Sequence, residues 1–215
     1  MAARCTGGAC MSTNTGPLAG IKVVDLSVMI SGPLAAMMLA DQGAEVIKVE
    51  SPGVGDMMRH LGSQKNGMTG IFTLHNRGKK SIGINLKSAE GRDILKRLLQ
   101  DADVVIQNFR PGALEKLGFG YEDVRSFNEG VVYVSISGFG PDGPRSGQRV
   151  YDNVIQAASG LASVQTDKVT GNPQIFRTLV CDKVTSYTVA QAVTAALFAR
   201  ERGRGGQHIE VSMLD

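Results

Sequence analysis

The sequence predicts an α/β fold with an open, mostly parallel sheet and helices packed on its faces. Two observations lead there: beyond Gly20 short β-rich runs alternate with segments of helical periodicity, and the first run, helix and run form a βαβ unit. A third sets the scale. With 215 residues and 42% hydrophobic content the chain can bury one substantial core, and its 20% charged fraction suits a globular protein.

Residues 21–26 give the first strand, and the turn from Ser27 to Pro33 leads into an apolar helix over 34–42, stopped by Gly43. Residues 45–50 give the second strand, closed by the breaker Ser51-Pro52-Gly53. Such a crossover is right-handed in nearly all folds, which lines up the strand ends along one sheet edge. A Gly- and Met-rich loop is expected over 53–70, then a strand over 80–86 and a Ser88-capped helix to Gln100 with Ile94, Leu95, Leu98 and Leu99 as its buried stripe. Strands follow over 103–109 and 131–137, with short helices between them over 113–117 and 121–127. Residues 138–148, rich in Gly and Pro, read as a loop, and 152–162 as a helix. Asp182 opens the longest helix, running to about Arg202 with Val189, Ala192, Val193, Ala196 and Leu197 on one face. A strand over 207–213 comes last, and because a domain rarely stops directly after one, a truncated chain is expected.

Composition excludes several functions. The formal charge of +3 is small and its Lys and Arg residues are scattered, so neither a nucleic-acid stripe nor a polybasic membrane anchor is expected. The longest nearly apolar stretch, 189–199, falls short of the roughly 20 residues that cross a bilayer. Residues 1–15 are small and polar and read as a disordered leader before a single domain over 16–215. Cys5, Cys10 and Cys181 are odd in number and lack ligand spacing, which predicts reduced thiols, a cytoplasmic setting and no metal.

The segment Gly138-Phe-Gly-Pro-Asp-Gly143 matches G-x-G-x-x-G after a strand, but Pro141, Pro144 and Gly147 prolong a loop where a dinucleotide site needs a helix. The P-loop, H-E-x-x-H and G-x-S-x-G patterns are absent. What remains is polar residues at the ends of apolar strands, where open α/β sheets bind ligands. Asn108 and Phe109 close one strand, and each has a plain alternative as a helix cap and a core residue. Asp182 can be an N-cap, and a carboxylate at a helix N-terminus is also oriented for nucleophilic work; the two roles are compatible.

Together these segments resemble the class III CoA-transferases, the formyl-CoA transferase/carnitine CoA-transferase (CaiB/BaiF) family. The resemblance runs through Gly16-Pro-Leu-Ala-Gly-Ile-Lys-Val-Val-Asp-Leu26, Gly43-Ala-Glu-Val-Ile-Lys-Val-Glu50, Asn76-Arg-Gly-Lys-Lys-Ser-Ile82, Asn108-Phe-Arg-Pro-Gly-Ala-Leu114, Tyr151-Asp-Asn-Val-Ile-Gln156 with Ser159-Gly160, and 203–207. Each piece is weak alone; their order and spacing are specific.

The resemblance implies the N-terminal, CoA-binding half of a Rossmann-like fold, with a second half and a glycine-rich active-site loop beyond residue 215 and a homodimer of interlocked rings at full length. It implies CoA contacts at Met29, Ile30, Ser31, Ile84, Lys87, Asn108, Phe109, Lys116 and Tyr151, with Lys87, Lys116 and Arg149 suited to its phosphates. The family often has an Arg directly after the second strand, where this chain has Ser51-Pro52. Asp182 aligns with the catalytic aspartate, implying CoA transfer from an acyl-CoA to a carboxylic acid through anhydride and aspartyl-CoA thioester intermediates. Backbone N–H groups at the helix start are expected to stabilise the developing charge. Two other readings stay open. One is α-methylacyl-CoA racemase chemistry, whose Gly-His-Asp motif is here Val150-Tyr151-Asp152; the other is a non-catalytic CoA-binding fragment.

Overall fold

The computed structural model describes residues 15–215, so the expected leader up to residue 14, with Cys5 and Cys10, lies outside the described residues. The elements are β1 (Lys22–Asp25), α1 (Ser31–Asp41), β2 (Glu45–Glu50), a 3-10 turn (Met57–Arg59), β3 (Gln64–Lys65), β4 (Met68–Thr69), α2 (Gly70–Asn76), β5 (Lys79–Gly83) and α3 (Ala89–Gln100). There follow β6 (Val104–Gln107), a 3-10 turn (Glu115–Leu117), α4 (Tyr121–Arg125), β7 (Val132–Ser137), α5 (Asp152–Ala158), α6 (Leu161–Val164), α7 (Val180–Ala199), a wide turn (Arg200–Arg204) and β8 (Gln207–Ser212).

One sheet holds six strands in the order β5-β2-β1-β6-β7-β8, and every pairing is parallel. The chain starts in the middle, winds outward to β5, then crosses to β6 and winds outward again, which is the Rossmann-like order. Burial on both faces explains the apolar runs: all four residues of β6 are buried. On one face α1 and α7 pack through Ala35, Ala36, Leu39, Val189, Ala190, Val193 and Ala196 onto Val23, Val104 and Val132. On the other, Leu95 and Leu99 of α3 join Leu114, Phe119 and Val124 over Val24, Val105 and Tyr133.

Several boundaries differ from those the sequence predicts. Helix α1 begins at Ser31, because Pro33 falls in the first turn, where a missing N–H leaves no helical bond unmade. The loop over 53–70 contains a 3-10 turn and the β3–β4 hairpin, whose turn residues Asn66 and Gly67 have φ of 51° and 77°, and α2 was not predicted. The helix expected over 152–162 is broken at Gly160, which takes φ 82°. Helix α7 starts at Val180, so Asp182 is its third residue rather than its cap. Its buried face includes Ala190, while Ala192 is half-buried. Among the described residues no helix is long and apolar enough to cross a membrane.

A buried ionic cluster ties the first three strands of the winding together. Lys48 of β2 is 1% exposed; its Nζ lies 3.0 Å from Asp56 Oδ2 and 3.8 Å from Asp25 Oδ2, and donates to Ser27 O at 2.8 Å. The Lys48–Asp56 contact is close enough for charge pairing but off the hydrogen-bond direction, and Asp56 Oδ2 has no other partner. Lys79 of β5 donates to Asp25 Oδ2 at 2.7 Å, Pro33 O at 2.8 Å and Asn76 Oδ1 at 2.8 Å, three acceptors that suit an ammonium. Burial alone would raise the Asp25 carboxyl, but Lys79 and Lys48, with hydrogen bonds from Lys79 and Ser27, outweigh it and hold it below the ordinary range. Burial also pulls Lys79 below the usual lysine value, against the pull of Asp25. The two shifts oppose each other on how far the pair favours charge, and the three-acceptor geometry decides for the charged form.

Helix α1 comes so close to the strand that a Cβ on Gly32 would stand 2.2 Å from Ser27 Oγ. Gly32→Ala is therefore expected to cost about 1–3 kcal/mol of stability. Asp25→Ala, which leaves two buried lysines short of a carboxylate, is expected to cost about 3–5 kcal/mol. Urea unfolding followed by circular dichroism measures both; a loss for Asp25→Ala smaller than that for Gly32→Ala would mean that the cluster does not hold the sheet together.

Candidate active site

The winding reverses between β1 and β6, and their following loops diverge to leave a crevice at the carboxyl edge of the sheet. Asn108, just past β6, spans its base: Nδ2 donates to Val28 O at 2.8 Å and Oδ1 accepts from Val28 N at 2.9 Å. The amide thus continues the strand pairing by side chain and keeps one N–H and one acceptor site free at the cleft. Gln107 supports the same loop, its Oε1 accepting from Phe109 N at 2.7 Å.

On the other side of the crevice, Met29 takes φ 69°, a left-handed backbone unusual for its residue type. Its N–H donates to Asp56 Oδ1 at 3.2 Å, and the same oxygen accepts from Met58 N at 3.0 Å. The ionic cluster therefore holds both Met29 and the 3-10 turn after β2. Glu50 adds to this by accepting from Asp56 N at 2.8 Å and from Arg59 at 2.8 and 2.6 Å. Arg59, an arginine shortly after the second strand, is thus committed to Glu50, and no arginine replaces Ser51-Pro52 there.

Asp182 arrives on the first turn of α7. Leu179 caps that helix without a side-chain bond, and the missing cap comes from α5: Asp152 Oδ1 accepts from Asp182 N at 2.8 Å. This is why the helix can begin before Asp182 and why the Asp182 carboxyl is not used as a cap. Asp152 Oδ2 accepts from Gln156 Nε2 at 2.5 Å, and Gln156 Oε1 accepts from Phe176 N at 2.7 Å. Ser186, one turn on, lies 2.8 Å from Ser31 O and 2.7 Å from Asp182 O, its single proton shared between them, and joins α7 to the start of α1.

Two clefts meet at Asp182. The first, of about 390 Å³, lies over the ends of β1, β6 and β7 and is lined by Met29, Ser31, Asn108, Phe109, Arg149, Tyr151 and Asp182, with Arg110 and Gln148 among the rest. The second, of about 580 Å³, has Met57, Met58, Leu61, Ile175 and Phe176 in its walls and shares Met29, Tyr151 and Asp182 with the first. Burial, and after it the Asp152 charge, push the Asp182 carboxyl up to about 6, against the backbone and hydroxyl of Ser31, which favour the ionised form. Burial and the same two carboxylates raise the neighbouring Cys181 thiol to about 11, so it carries almost no thiolate at neutral pH.

Of the predicted positions, Met29, Ser31, Asn108, Phe109, Arg149, Tyr151 and Asp182 come together in the first cleft, and Ile30 lines the second. Ile84 is 3% exposed and packed in the core, while Lys87 and Lys116 are exposed and line neither cleft. Of the amides at the helix start, Val180 N pairs with Thr178 O, Asp182 N with Asp152 and Lys183 N with Leu179 O, and Cys181 N makes none of these bonds. The sequence reading did not single out Arg110, Asp152 as the external cap, or the Met57, Met58 and Leu61 wall. An acid at the first residue of a short helix and a run of methionines beside a glycine breaker were the available signals. Among the described residues no cluster of His, Cys, Asp and Glu converges as a metal site.

An acyl-CoA transferase of Fusarium pseudograminearum is 38% identical over 213 residues, covering 95% of this chain and 46% of its own. A succinate–glutarate CoA-transferase of Agrobacterium fabrum is 40% identical over 206 residues, covering 93% and 51%. A CaiB/BaiF family protein from Brucella suis superposes with a TM-score of 0.88 at 38% identity, covering 93% of this chain and 54% of that one. The chain thus spans about half the length of these relatives. The profile of CoA-transferase family III matches residues 18–215, and the chain belongs to that family.

Proposed function

We propose that the protein transfers coenzyme A from an acyl-CoA donor to a carboxylic acid acceptor, with Asp182 carrying the covalent intermediates. The observation that supports this most is the position of the Asp182 carboxyl, where a cleft bearing Arg110 and Arg149 meets an apolar one. A thioester substrate has the same two ends, an anionic nucleotide and an acyl group, with the reacting carbonyl between them. The relatives named as CoA-transferases support the same chemistry.

In this reading the Asp182 carboxylate attacks the thioester carbonyl and CoA leaves as the thiolate, giving a mixed anhydride. The thiolate attacks the aspartyl carbonyl, releasing the donor acid and leaving an aspartyl-CoA thioester. The acceptor carboxylate then attacks that thioester, forming a second anhydride and freeing the thiolate again. Attack of the thiolate on the acceptor's acyl carbonyl yields the new acyl-CoA and regenerates the carboxylate. Every step exchanges one carboxylate or thiolate for another, so no net proton or ATP is needed. CoA runs along the carboxyl edge of the sheet past Met29, Ile30, Ser31, Asn108, Phe109 and Tyr151, with Arg149 drawing its phosphates; the buried Ile84 backs that edge from the core, and Lys87 and Lys116, exposed outside both clefts, act on the phosphates only at longer range. The family resemblance adds a homodimer of the full-length protein acting on small molecules, and the odd, unspaced cysteines add a cytoplasmic setting.

Racemase chemistry has less support. Among the described residues no histidine lines either cleft, and Tyr151 stands where the racemase motif has its histidine.

Incubation with acyl-CoA thioesters and carboxylates, followed by peptide mass spectrometry, should find CoA attached through Asp182 and no adduct on Asp182→Ala. CoA binding without adduct would favour a binding fragment, and α-proton exchange without adduct a racemase. The nucleophile must be ionised, so adduct formation should rise with pH through about 6 and level off above it. Below that it should fall about tenfold per pH unit. Asp152→Asn removes one of the two causes of the raised value and should move the midpoint of this profile to lower pH; an unmoved midpoint would show that Asp152 does not act through its charge.

A further inference from the structure

We infer that the second cleft selects acyl groups with an extended apolar chain, rather than the one- or two-carbon acyl groups that a small pocket would choose. This rests on the transferase reading above and concerns what the enzyme transfers.

Met57, Leu61, Ile175 and Phe176 are 57%, 56%, 47% and 38% exposed, yet they face one cleft instead of being scattered. Converging exposed apolar side chains mark a binding groove more often than ordinary surface. Methionine walls adapt to irregular chains, and the floor adds the buried Met58 and Ile30. The polar groups of the cleft do not offset this. Both carboxylate oxygens of Asp152 are engaged, by Asp182 N and by Gln156. Gln156 in turn gives both Nε2 protons to Asp152 and Thr178 O and accepts from Phe176 N, so it has no donor left for a ligand. Asn153 Oδ1 accepts from the N–H of its neighbour Val154. Arg177, exposed and also lining the cleft, remains as a cation beside the apolar wall. The Asp182 carboxyl therefore opens onto a wall that can desolvate methylenes, most of which a one- or two-carbon acyl group would leave uncovered.

The occupant follows from position. Asp182 lines both clefts, so a thioester carbonyl brought to its carboxyl from the cation-bearing side must project its acyl chain into the other. A volume of about 580 Å³ is in the range of small-molecule sites.

Two measurements on the protein separate this inference from the reading it rests on. Equilibrium binding of straight-chain acyl-CoA thioesters, from acetyl to octanoyl, to Asp182→Asn reports the cleft's preference without chemistry; the adduct assay on the wild-type protein reports the chemistry. Affinity is expected to rise about two- to fourfold per added methylene. The same slope should appear in kcat/KM for adduct formation. Met57→Asp and Ile175→Asp, both at exposed positions, should flatten the slope whatever they do to the absolute values, and thermal melts check that they fold. Affinity flat or falling with chain length would overturn the inference and leave the transferase reading intact if adducts form. A slope unchanged in both variants would also overturn it, since the chains would then be binding elsewhere. A rising slope that the variants abolish, with no adduct from any thioester, would uphold the apolar site and sink the transferase reading.

Discussion

Lys48 is the charge on which the arrangement of the site depends. A lysine in the middle of a buried parallel strand is costly to desolvate, and it is tolerated because three backbone and carboxylate oxygens close around it. Those contacts reach opposite parts of the molecule. Through Asp25 the lysine is coupled to Lys79 and the far strand β5; through Asp56 it fixes the left-handed Met29 and the turn carrying Met57 and Met58. A cluster that reads as an internal stability device therefore also sets the shape of both clefts. An apolar replacement of similar volume could match its stability, but not its hold on two backbone N–H groups.

A second constraint acts on Asp182. A carboxylate on the first turn of a helix is ordinarily favoured as an anion. Here the helix N–H of Asp182 is taken by Asp152, so the residue keeps the position without becoming the cap. The same Asp152 adds a like charge nearby, and burial adds to it, which leaves a carboxylate more basic than a solvated aspartate. In the proposed reaction, greater basicity and thinner hydration would both help this weak oxygen nucleophile attack a thioester.

Much of the fold was legible because its signals are local and repeated. The six parallel strands show as β-branched runs, Ser88 announces α3 by its capping position, and the apolar stripe of α7 has the right period. What failed is what depends on distant partners. The start of α7 could not be read because its cap lies on α5, thirty positions away in sequence. Helix α2 is only seven residues long and is anchored by Thr69, which caps Phe72 N while its hydroxyl bonds Met58 O. The Asn66-Gly67 hairpin was readable in principle, since that dipeptide favours two successive left-handed residues. The site divides in the same way. Asp182 and the residues after β1 and β6 follow from strand ends and the family resemblance, whereas the apolar wall comes from segments 57–61 and 175–176, which tertiary packing alone brings together.

The raised Asp182 value also sets function against stability. Its carboxyl titrates near 6 in the folded protein against 3.8 for the free side chain. Between those values the folded state binds a proton that the unfolded chain has lost, so this group favours folding in its protonated form and that contribution is lost as pH rises through 6. Catalysis as proposed needs the other form. The protein therefore operates where this residue is least favourable to its own fold, and the compensation must come from groups that are not part of the chemistry. Glu50, held down to about 2 by Arg59, Ser81 and Asp56 N against its own burial, works in the opposite sense: its contribution is fully present above the ordinary glutamate range and is lost only as pH falls toward 2. At neutral pH the ionic support beneath the clefts is at full strength while the Asp182 carboxyl above it is largely ionised at a cost to the fold, which is the combination the proposed reaction requires.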